Sequence, residues 1–422
     1  MVLPRLRGRM VTRGTPAGIF RAASARFRDS LAPGDDSVGD FFLIVLLHAI
    51  GYGLCALAVC GGLYSLLAAG LVARFMARPR PVGAAFPPVS LIKPLHGAPA
   101  GLAGALESFC RQDYPGAVQM VFGVQDDRDP AIAVVRDLQR RHPSLDIDLV
   151  IDSRLHGTNR KVSNLINIAA RARHEVLVLS DADIHVGPRY LRDVAGALGG
   201  AGVGAASCLY VGAGGADRWS TLSAMAIDYQ FLPSVALGRA LGMARPCFGS
   251  TIAMTASVLR EIGGFEAFAD RLADDYEIGR AVRARGYAVA VPPLAVSHLC
   301  TEASAGELIG HELRWNRTVR QIDPAGYVGS AITHPLPLAA IGAALLGLPP
   351  WALVLIFTIV GARIAAKFIV DAATGARAGP WWLIPARDVL SFGVFLASFT
   401  VNTVGWQGHR FRVERDGVLV LP

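Results

Sequence analysis

Residues 175–184 read EVLVLSDADI, a short apolar run that ends in two aspartates separated by one residue. Its valines and leucines are typical of a strand that is buried on both faces of a sheet. Because side chains alternate between the two faces of an extended chain, Asp181 and Asp183 should point the same way. The sequence therefore predicts a buried strand that presents two carboxylates at its carboxyl end.

This strand closes a regular alternation of strand and helix patterns. We predict strands over 89–92, 118–124, 147–151 and 176–180, and helices over 101–111, 131–141 and 159–171. The alternation is typical of a doubly wound, Rossmann-like α/β domain, whose ligands bind beyond the carboxyl ends of the strands. No GxGxxG follows the first strand, so a nicotinamide-dependent enzyme is disfavoured.

The paired aspartates have the chemistry of a divalent cation site. Mg²⁺ and Mn²⁺ prefer oxygen ligands, often one or two carboxylates together with substrate phosphate. A DxD triplet also occurs by chance, and its place directly after a buried strand is what favours a metal here. We therefore expect Asp181 and Asp183 to hold a metal that neutralises a diphosphate leaving group.

Other polar residues fall near the ends of predicted strands. Asp126 follows the second strand, where it can accept hydrogen bonds from a base or ribose, or belong to a solvated turn before the next helix. Lys161 and Asn164 lie one turn apart at a helix start, which is either an anion site or an ordinary solvated terminus. Lys93 closes the first strand and is grouped with them as a candidate donor-binding residue.

Asp274 and Asp275 open a helical pattern that continues to Arg285. Adjacent acids at a helix start can simply complement the helix dipole. If they face a cleft, Asp275 can act as a general base, and the like charge of Asp274 helps to keep it basic.

A second helical motif is HELRW (311–315), which precedes an apolar segment. His311 and Arg314 share one face, and Arg314 can bind phosphate through two hydrogen bonds while Trp315 offers a flat apolar wall. The alternative is an interfacial helix with Arg and Trp at the level of the lipid headgroups.

The chain also carries segments that fit a lipid bilayer. Residues 41–73 contain no Asp, Glu, Lys or Arg, whereas about 20 helical residues cross a bilayer. Apolar runs near 335–349, 350–362 and 389–406 predict two to three further membrane or re-entrant helices within 331–410. Arginines directly after the first span place residues 74–330 in the cytoplasm by the positive-inside rule.

The predicted organisation follows from these segments. A basic, disordered leader (1–40) precedes the transmembrane anchor, a Pro-rich linker (74–88) leads to the catalytic domain (89–330), and a short tail (411–422) follows the last membrane elements.

Charge and cysteine content exclude some classes of function. The net charge is +8, but the basic residues are scattered and show no aromatic-interleaved patch, so nucleic acid binding is disfavoured. Anionic lipid and a diphosphate substrate explain the excess better. The 6 cysteines form no CxxC pair, which argues against a zinc site or a disulfide framework.

Taken in order, the motifs resemble those of inverting glycosyltransferases with the GT-A fold, and more narrowly the ceramide glucosyltransferase-like family. Within that family they are most similar to the bacterial hopanoid-biosynthesis glycosyltransferases. The segments that carry the resemblance are KPLHG (93–97), SFCRQDYPG (108–116), VQDDRDP (124–130), LHGTNRKVSNLIN (155–167), SDADI (180–184), ADDYEIG (273–279) and HELRW (311–315).

The resemblance implies roles for individual residues. Asp126 matches a nucleotide-binding aspartate, Asp181 and Asp183 match the metal and diphosphate site, and Asp275 matches the catalytic base. Arg314 and Trp315 match a diphosphate-side and acceptor-side pair, and Asp274 is assigned to the acceptor side. His311 departs from the Gln or Arg usual at the head of its motif, and we also place it at the acceptor side.

The resemblance also implies a UDP-sugar donor, a divalent cation and a lipid acceptor at the bacterial inner membrane. Hopanoid members attach N-acetylglucosamine to bacteriohopanetetrol, and this is the leading expectation. The alternatives are a ceramide glucosyltransferase, a processive polysaccharide synthase and a non-catalytic membrane scaffold.

Overall fold

The computed structural model describes residues 36–81, 86–215, 217–400, 403–406, 409–413 and 419–420. Most of the predicted leader lies outside these ranges. Residues 36–40, which we assigned to that leader, instead form the first turns of a long helix, because the apolar stretch that follows them continues the same helix.

The chain forms a mixed α/β domain flanked by apolar helices. The strands are β1 (Val89–Pro94), β2 (Val118–Val124), β3 (Asp146–Ile151), β4 (Val176–Leu179), β5 (Ile184–His185), β6 (Val203–Ser207), β7 (Leu209–Gly214), β8 (Ile252–Thr255), β9 (Ala288–Ala290), β10 (Ala295–Cys300), β11 (Thr403–Trp406), β12 (His409–Val413) and β13 (Leu419–Val420).

The long apolar helix before the domain is α1 (Asp36–Met76). The helices that follow it as far as residue 322 are α2 (Leu102–Cys110), α3 (Ala131–Arg141), α4 (Arg160–Ala169), α5 (Tyr190–Leu198), α6 (Arg218–Ala226), α7 (Leu232–Ala240), α8 (Ala256–Glu261), α9 (Asp274–Ala284) and α10 (Ala305–Ile322). The helices that follow are α11 (Pro324–Gly329), α12 (Pro335–Leu345), α13 (Pro350–Thr374) and α14 (Ile384–Ala397).

The main sheet has the order β3-β2-β1-β4-β8-β6-β9. Strands β1 to β4 are mutually parallel, as the alternation predicts, and their carboxyl ends meet at one edge of the sheet. Strand β8 enters antiparallel between β4 and β6, so the sheet is mixed. Apolar residues cover both faces, since Leu91 and Ile92 belong to separate buried clusters.

A second, three-stranded sheet with the order β5-β10-β7 carries further residues toward the same edge. Strand β5 directly follows Asp183, and β10 pairs with it antiparallel through His298 and Ile184. Helix α10, which contains HELRW, begins shortly after β10 and is capped by the Ser304 hydroxyl. The loops after β4 and the residues of this small sheet therefore enclose one cleft.

Two helices, α1 and α13, are long and apolar enough to cross a membrane, and a bent pair formed by residues 324–333 and 335–345 could form one more span. Helix α12 runs back along α1, because Pro335 lies beside Gly61 while Leu346 lies beside Gly51. Helix α13 then returns parallel to α1, with Trp351 stacked on Tyr52 at a ring distance of 5.9 Å.

The charges that interrupt the C-terminal apolar runs pair with one another. Arg363 of α13 makes two hydrogen bonds of 2.8 Å to Asp388 of α14, and all four of these atoms are buried. Arg387 makes a 2.6 Å ion pair with Glu312 of α10. The apolar run 389–406 is not one helix, because α14 ends at Ala397 and strand β11 begins at Thr403.

Candidate functional site

Lys161 joins the acidic motifs that follow β4 and open α9. Its Nζ atom lies 2.7 Å from Asp181 Oδ1 and 3.1 Å from Asp274 Oδ2. Burial acts to lower the pKa of Lys161, but the charges of these aspartates and of Asp275 raise it above the ordinary value. The amine is therefore charged, and it balances carboxylates that would otherwise repel one another.

Gly249 connects the same two motifs through its backbone. Its carbonyl accepts from the Asp181 amide at 3.1 Å, and its own amide donates to Asp275 Oδ2 at 2.9 Å. The Tyr276 amide donates to the other Asp275 oxygen at 2.7 Å. Burial, and then the like charge of Asp274, raise the pKa of Asp275 to about 6.

Lys93 lies beneath the aspartate loop and is fully buried. Its Nζ donates to the Asp181 carbonyl at 2.7 Å and to Ser180 Oγ at 3.2 Å. Burial lowers the pKa of Lys93 to about 7, although Asp183 and Asp181 act in the opposite direction. The contacts of Lys93 hold the backbone of the carboxylate loop, and donor binding at this position stays a prediction.

Asp183 faces His298 of β10. The Nδ1 atom of His298 lies 3.6 Å from Asp183 Oδ1. Burial acts to raise the pKa of Asp183, but the charge of His298, together with Lys93 and Lys161, lowers it to about 2. Among the described residues, the buried Oδ1 atom has no hydrogen-bond partner, and the His298 imidazole faces it at ion-pair distance.

Arg314 and Trp315 complete one wall of the cleft. Burial lowers the pKa of Arg314, while the charges of Asp183, Asp181 and Asp275 act in the opposite direction, so its guanidinium faces the acidic cluster. The Trp315 ring lies 5.9 Å from the His298 ring and 6.5 Å from the Tyr210 ring. The wall is thus aromatic, with one cation directed at the acids.

His311 is held by a buried carboxylate. Its Nδ1 lies 2.5 Å from Glu302 Oε1, which also accepts a 3.0 Å hydrogen bond from Ser223. The His311 and Trp315 rings are 4.5 Å apart in an edge-on arrangement. Burial acts to raise the pKa of Glu302, but the hydrogen bond from His311 lowers it. Glu302 therefore stays ionised and fixes the imidazole orientation.

Two predicted donor-binding residues lie apart from this cluster. The buried Asn164 amide donates to the carbonyls of Gly123 and Leu95, at 2.8 and 3.3 Å, and so ties together two strand ends. Asp126 is exposed beyond β2, and its Oδ1 accepts from the Arg128 amide at 2.9 Å. Asn164 therefore has a supporting role here, whereas Asp126 leaves a carboxylate oxygen open at the rim.

The donor set fits a divalent cation that also takes ligands from a substrate. Within the described residues, no group of three or more His, Cys, Asp and Glu side chains could hold a metal ion. Asp181 and Asp183 supply two carboxylates, and their side chains leave 33% and 38% of their surface exposed. Mg²⁺ and Mn²⁺ commonly complete such a pair with phosphate oxygens and water.

The cleft also contains functional candidates that the motif reading missed. Gly249, His298, Glu302 and Tyr210 each contact a predicted site residue or its neighbour. The only signal of His298, Glu302 and Tyr210 in the sequence is a polar or aromatic side chain in a strand or loop pattern, and Gly249 gives no side-chain signal. The strand and loop pattern does not predict that these residues come together at the same site.

Substitution of Gly249 by alanine is expected to lower activity without unfolding the protein. A Cβ atom at this position would lie 2.6 Å from Asp181 Oδ2 and 3.0 Å from Lys161 Nζ, so both groups must move. Displacement of a catalytic group by about 1 Å can cost about 10²-fold in rate. We expect a loss of at least about tenfold in turnover with an unfolding temperature close to that of the parent.

The matched control is Gly104→Ala, where a Cβ atom meets nothing within 4 Å. Parental turnover by Gly249→Ala would contradict the proposed close fit.

Comparisons with known proteins show what this chain is similar to. A family model described as "Glycosyl transferase family 21" matches residues 52–419. Ceramide glucosyltransferase 1 of Caenorhabditis elegans is 27% identical over 280 residues, which are 64% of this chain and 58% of that protein. Ceramide glucosyltransferase 3 of the same organism is 26% identical over 237 residues, covering 54% of this chain and 50% of that protein. The chain thus spans 58% and 50% of the lengths of these two relatives.

The fold has a counterpart among solved structures. The mannosyltransferase PcManGT from Pyrobaculum calidifontis, solved in complex with GDP-Man and Mn²⁺, superposes with a TM-score of 0.50 and 22% sequence identity. The superposition covers 84% of this chain and 99% of that one. The expected GT-A fold, with apolar helices at both ends of the α/β domain, is thereby confirmed.

Proposed function

The chain belongs to glycosyl transferase family 21, and on that premise we propose that it transfers a sugar from a UDP-sugar to a hydroxyl group of a membrane lipid, with inversion at the anomeric carbon. The observation that carries the proposal is the joint position of Asp181, Asp183 and Asp275 in one cleft. Gly249 bridges the two acidic motifs through its backbone.

The donor diphosphate is proposed to bind between the aspartate pair and Arg314. A divalent cation on Asp181 and Asp183 would stabilise the negative charge that develops on the leaving phosphate. Burial raises the pKa of Asp181, and the charge of Lys161 acts in the opposite direction and favours the carboxylate; Arg314 adds a second positive charge near the acids. The GDP-Man and Mn²⁺ in the PcManGT complex support a nucleotide sugar and a metal as ligands of such a fold. Asp126 at the rim is proposed to contact the nucleoside.

Asp275 is proposed to act as the general base. Two backbone amides hold its carboxylate in place, and its raised pKa makes it a better proton acceptor than an ordinary aspartate. The acceptor oxygen attacks the anomeric carbon as its proton passes to Asp275. The bond between the anomeric carbon and the phosphate oxygen breaks, and UDP leaves. A single displacement from an α-linked donor gives a β-glycoside.

His311 and Trp315 are proposed to form the acceptor side of the cleft. Asp274 is proposed to belong to the same side. Glu302 accepts a hydrogen bond from His311 Nδ1, which leaves the other ring nitrogen to face a hydroxyl or a phosphate. The aromatic edge of Trp315 gives a sugar or a lipid polyol an apolar surface. Glu302 is thus a positioning residue that acts through His311.

The acceptor is proposed to be a hopanoid polyol such as bacteriohopanetetrol, and the transferred sugar N-acetylglucosamine. The order of the motifs and the residues in them support this choice. The apolar helices α1 and α13 support a lipid acceptor. The similarity to the two ceramide glucosyltransferases of Caenorhabditis elegans supports the second candidate, glucosylation of ceramide. We propose that the protein lies in a bacterial inner membrane with its catalytic domain in the cytoplasm.

The pH dependence of turnover should report the ionisation of Asp275. The base works as a carboxylate, and its pKa is about 6, so activity is lost as the pH falls through that value. Above about pH 7 the rate should level off, and below pH 6 it should fall about tenfold per pH unit. Turnover at saturating donor between pH 5 and 9 is the measurement, and samples returned from pH 5 to pH 7.5 control for unfolding. An acidic limb near pH 4, where an ordinary aspartate titrates, would argue against this assignment.

The proposed reaction is tested with membranes that contain the full chain. Labelled UDP-N-acetylglucosamine and UDP-glucose are each supplied with bacteriohopanetetrol or ceramide, with and without EDTA. Mass spectrometry then identifies the labelled lipid. We expect one metal-dependent pair of donor and acceptor to give a single added sugar. Long polymers would instead indicate a polysaccharide synthase, and the absence of UDP release with every pair would contradict catalysis.

A further inference from the structure

A small cavity lies on the side of α1 where this helix meets α7. Its volume is about 320 Å³, and its walls combine apolar side chains with three arginines. The residues that line it are Leu71, Arg74, Phe75, Arg78, Leu209, Val235, Ala236, Arg239 and Ala240. None of the acidic cleft residues belongs to this lining, so the cavity is separate from the candidate active site.

The three arginines form a cluster of like charge. Among the residues that the structure describes, none of the three makes an ion pair with a carboxylate. The guanidinium carbons of Arg78 and Arg239 lie 5.4 and 4.9 Å from the centroid of the same ring, Phe75. Arg74 lies in the last turn of α1 and Arg78 lies two residues after the end of that helix, and their like charges repel one another across the cavity that both line. An anion in the cavity would relieve this repulsion.

The pKa of Arg239 in α7 agrees with a site whose positive charge is not balanced by a nearby anion. Burial, and then the charge of Arg78, lower the pKa of Arg239 below its ordinary value. A guanidinium is still charged at neutral pH, so the lowered pKa expresses a cost that the folded protein carries. Arg239 lines a cavity whose other walls include apolar side chains. A partly dehydrated anion in this cavity would interact strongly with the guanidinium group.

The position of the cavity identifies the source of the anion. Arg74 and Arg78 follow the uncharged stretch 41–73 at the end of the apolar helix that reaches the catalytic domain, and Arg239 of α7 lines the same cavity. Leu241 and Met243, just after α7, leave 61% and 74% of their surface exposed. Basic residues beside exposed apolar side chains are typical of a surface that contacts lipid headgroups and the acyl region below them.

We propose that Arg74, Arg78 and Arg239 bind the phosphate of an anionic phospholipid whose acyl chain covers Leu71 and Val235. The lipid is a structural ligand of the membrane-facing surface, and it is neither the sugar donor nor the acceptor. It neutralises the arginine cluster and holds α7 against α1.

The test uses the full chain purified in a neutral detergent. Short-chain phosphatidylglycerol, short-chain phosphatidylcholine or inorganic phosphate is titrated in, and the unfolding temperature is followed. We expect phosphatidylglycerol to raise the unfolding temperature and the other two to have little effect. Removal of one arginine should weaken the apparent affinity about fivefold, since each basic residue near an anionic surface contributes about 1 kcal/mol.

Two kinds of variant separate charge from shape. Arg74→Gln/Arg78→Gln/Arg239→Gln removes the charges, and Ala240→Trp fills the cavity from its rim with no change of charge. Both should lose the response to phosphatidylglycerol. The matched control, Arg136→Gln/Arg285→Gln, removes two exposed arginines elsewhere and should keep it. An equal response to phosphatidylcholine or to inorganic phosphate, or a full response by both cavity variants, would overturn the proposal. If the triple variant fails to fold, the Ala240→Trp result decides.

Discussion

Asp275→Asn is expected to reduce turnover by about 10³-fold, within the range by which a positioned general base accelerates a reaction. The KM for the donor should change little, because Asp275 is proposed to act on the acceptor hydroxyl. Steady-state kinetics with varied UDP-sugar at saturating acceptor measures both quantities.

The same variant should remain folded. The Gly249 and Tyr276 amides donate to different oxygens of Asp275, so in asparagine one of these amides would face the NH₂ group instead, and an unsatisfied group costs about 1 to 3 kcal/mol. Loss of the like charge beside Asp274 offsets part of this cost. Circular dichroism and the unfolding temperature test the balance.

Glu277→Gln is the matched control for Asp275→Asn. This acid stands in the same first turn of α9, but its carboxylate pairs with Arg280 at 2.5 Å on the outer surface. We expect parental turnover from this variant. A folded Asp275→Asn enzyme that matches the turnover of the Glu277→Gln enzyme would remove Asp275 from the mechanism.

Asp183→Asn is expected to lower turnover by about 10²-fold or more and to raise the Mn²⁺ or Mg²⁺ concentration needed for half-maximal activity. Asp183 presents a buried oxygen with no hydrogen-bond partner among the described residues, and its pKa near 2 keeps it ionised at every working pH. An amide at this position keeps the shape and loses the charge. Metal titrations at fixed donor, after treatment with EDTA, give the two values.

The control for Asp183→Asn is Asp152→Asn. Asp152 also follows a parallel strand, β3, but its carboxylate is already engaged by Arg154, with one contact of 2.6 Å. It should show the parental metal dependence. An Asp183→Asn enzyme with that same dependence would show that the carboxylate does not bind the metal.

The local part of the fold could be predicted from the sequence. Strand 118–124 and helix 131–141 have the predicted bounds, because each is a continuous pattern ended by a turn or by a change of charge. The entry of β8 between β4 and β6 could not be predicted, since strand pairing over a long separation leaves no local pattern. The pairing of β10 with β5 and β7 could not be predicted for the same reason.

The candidate site was predictable in its acids and less so in its surroundings. Asp181 and Asp183 follow a strand that any parallel sheet would bury, so their place at the carboxyl edge follows from topology. Lys161 was predicted to meet an anion, and the structure pairs it with Asp181 and Asp274. Gly249 could not be identified, because its function comes from two backbone atoms and no side chain records it.

The packing along α1 divides this helix into two mechanically different halves. The turn between α12 and α13 reaches only the level of Gly51 and Tyr52, so the segment leading to the catalytic domain is braced by two neighbours. Residues from Phe41 to Leu46 lie beyond that level and expose about half of each side chain. A thinner or thicker bilayer can therefore be accommodated by tilt or bending of the unbraced half. The distance between the cleft and the membrane surface would then stay constant while the lipid composition of the cell changes.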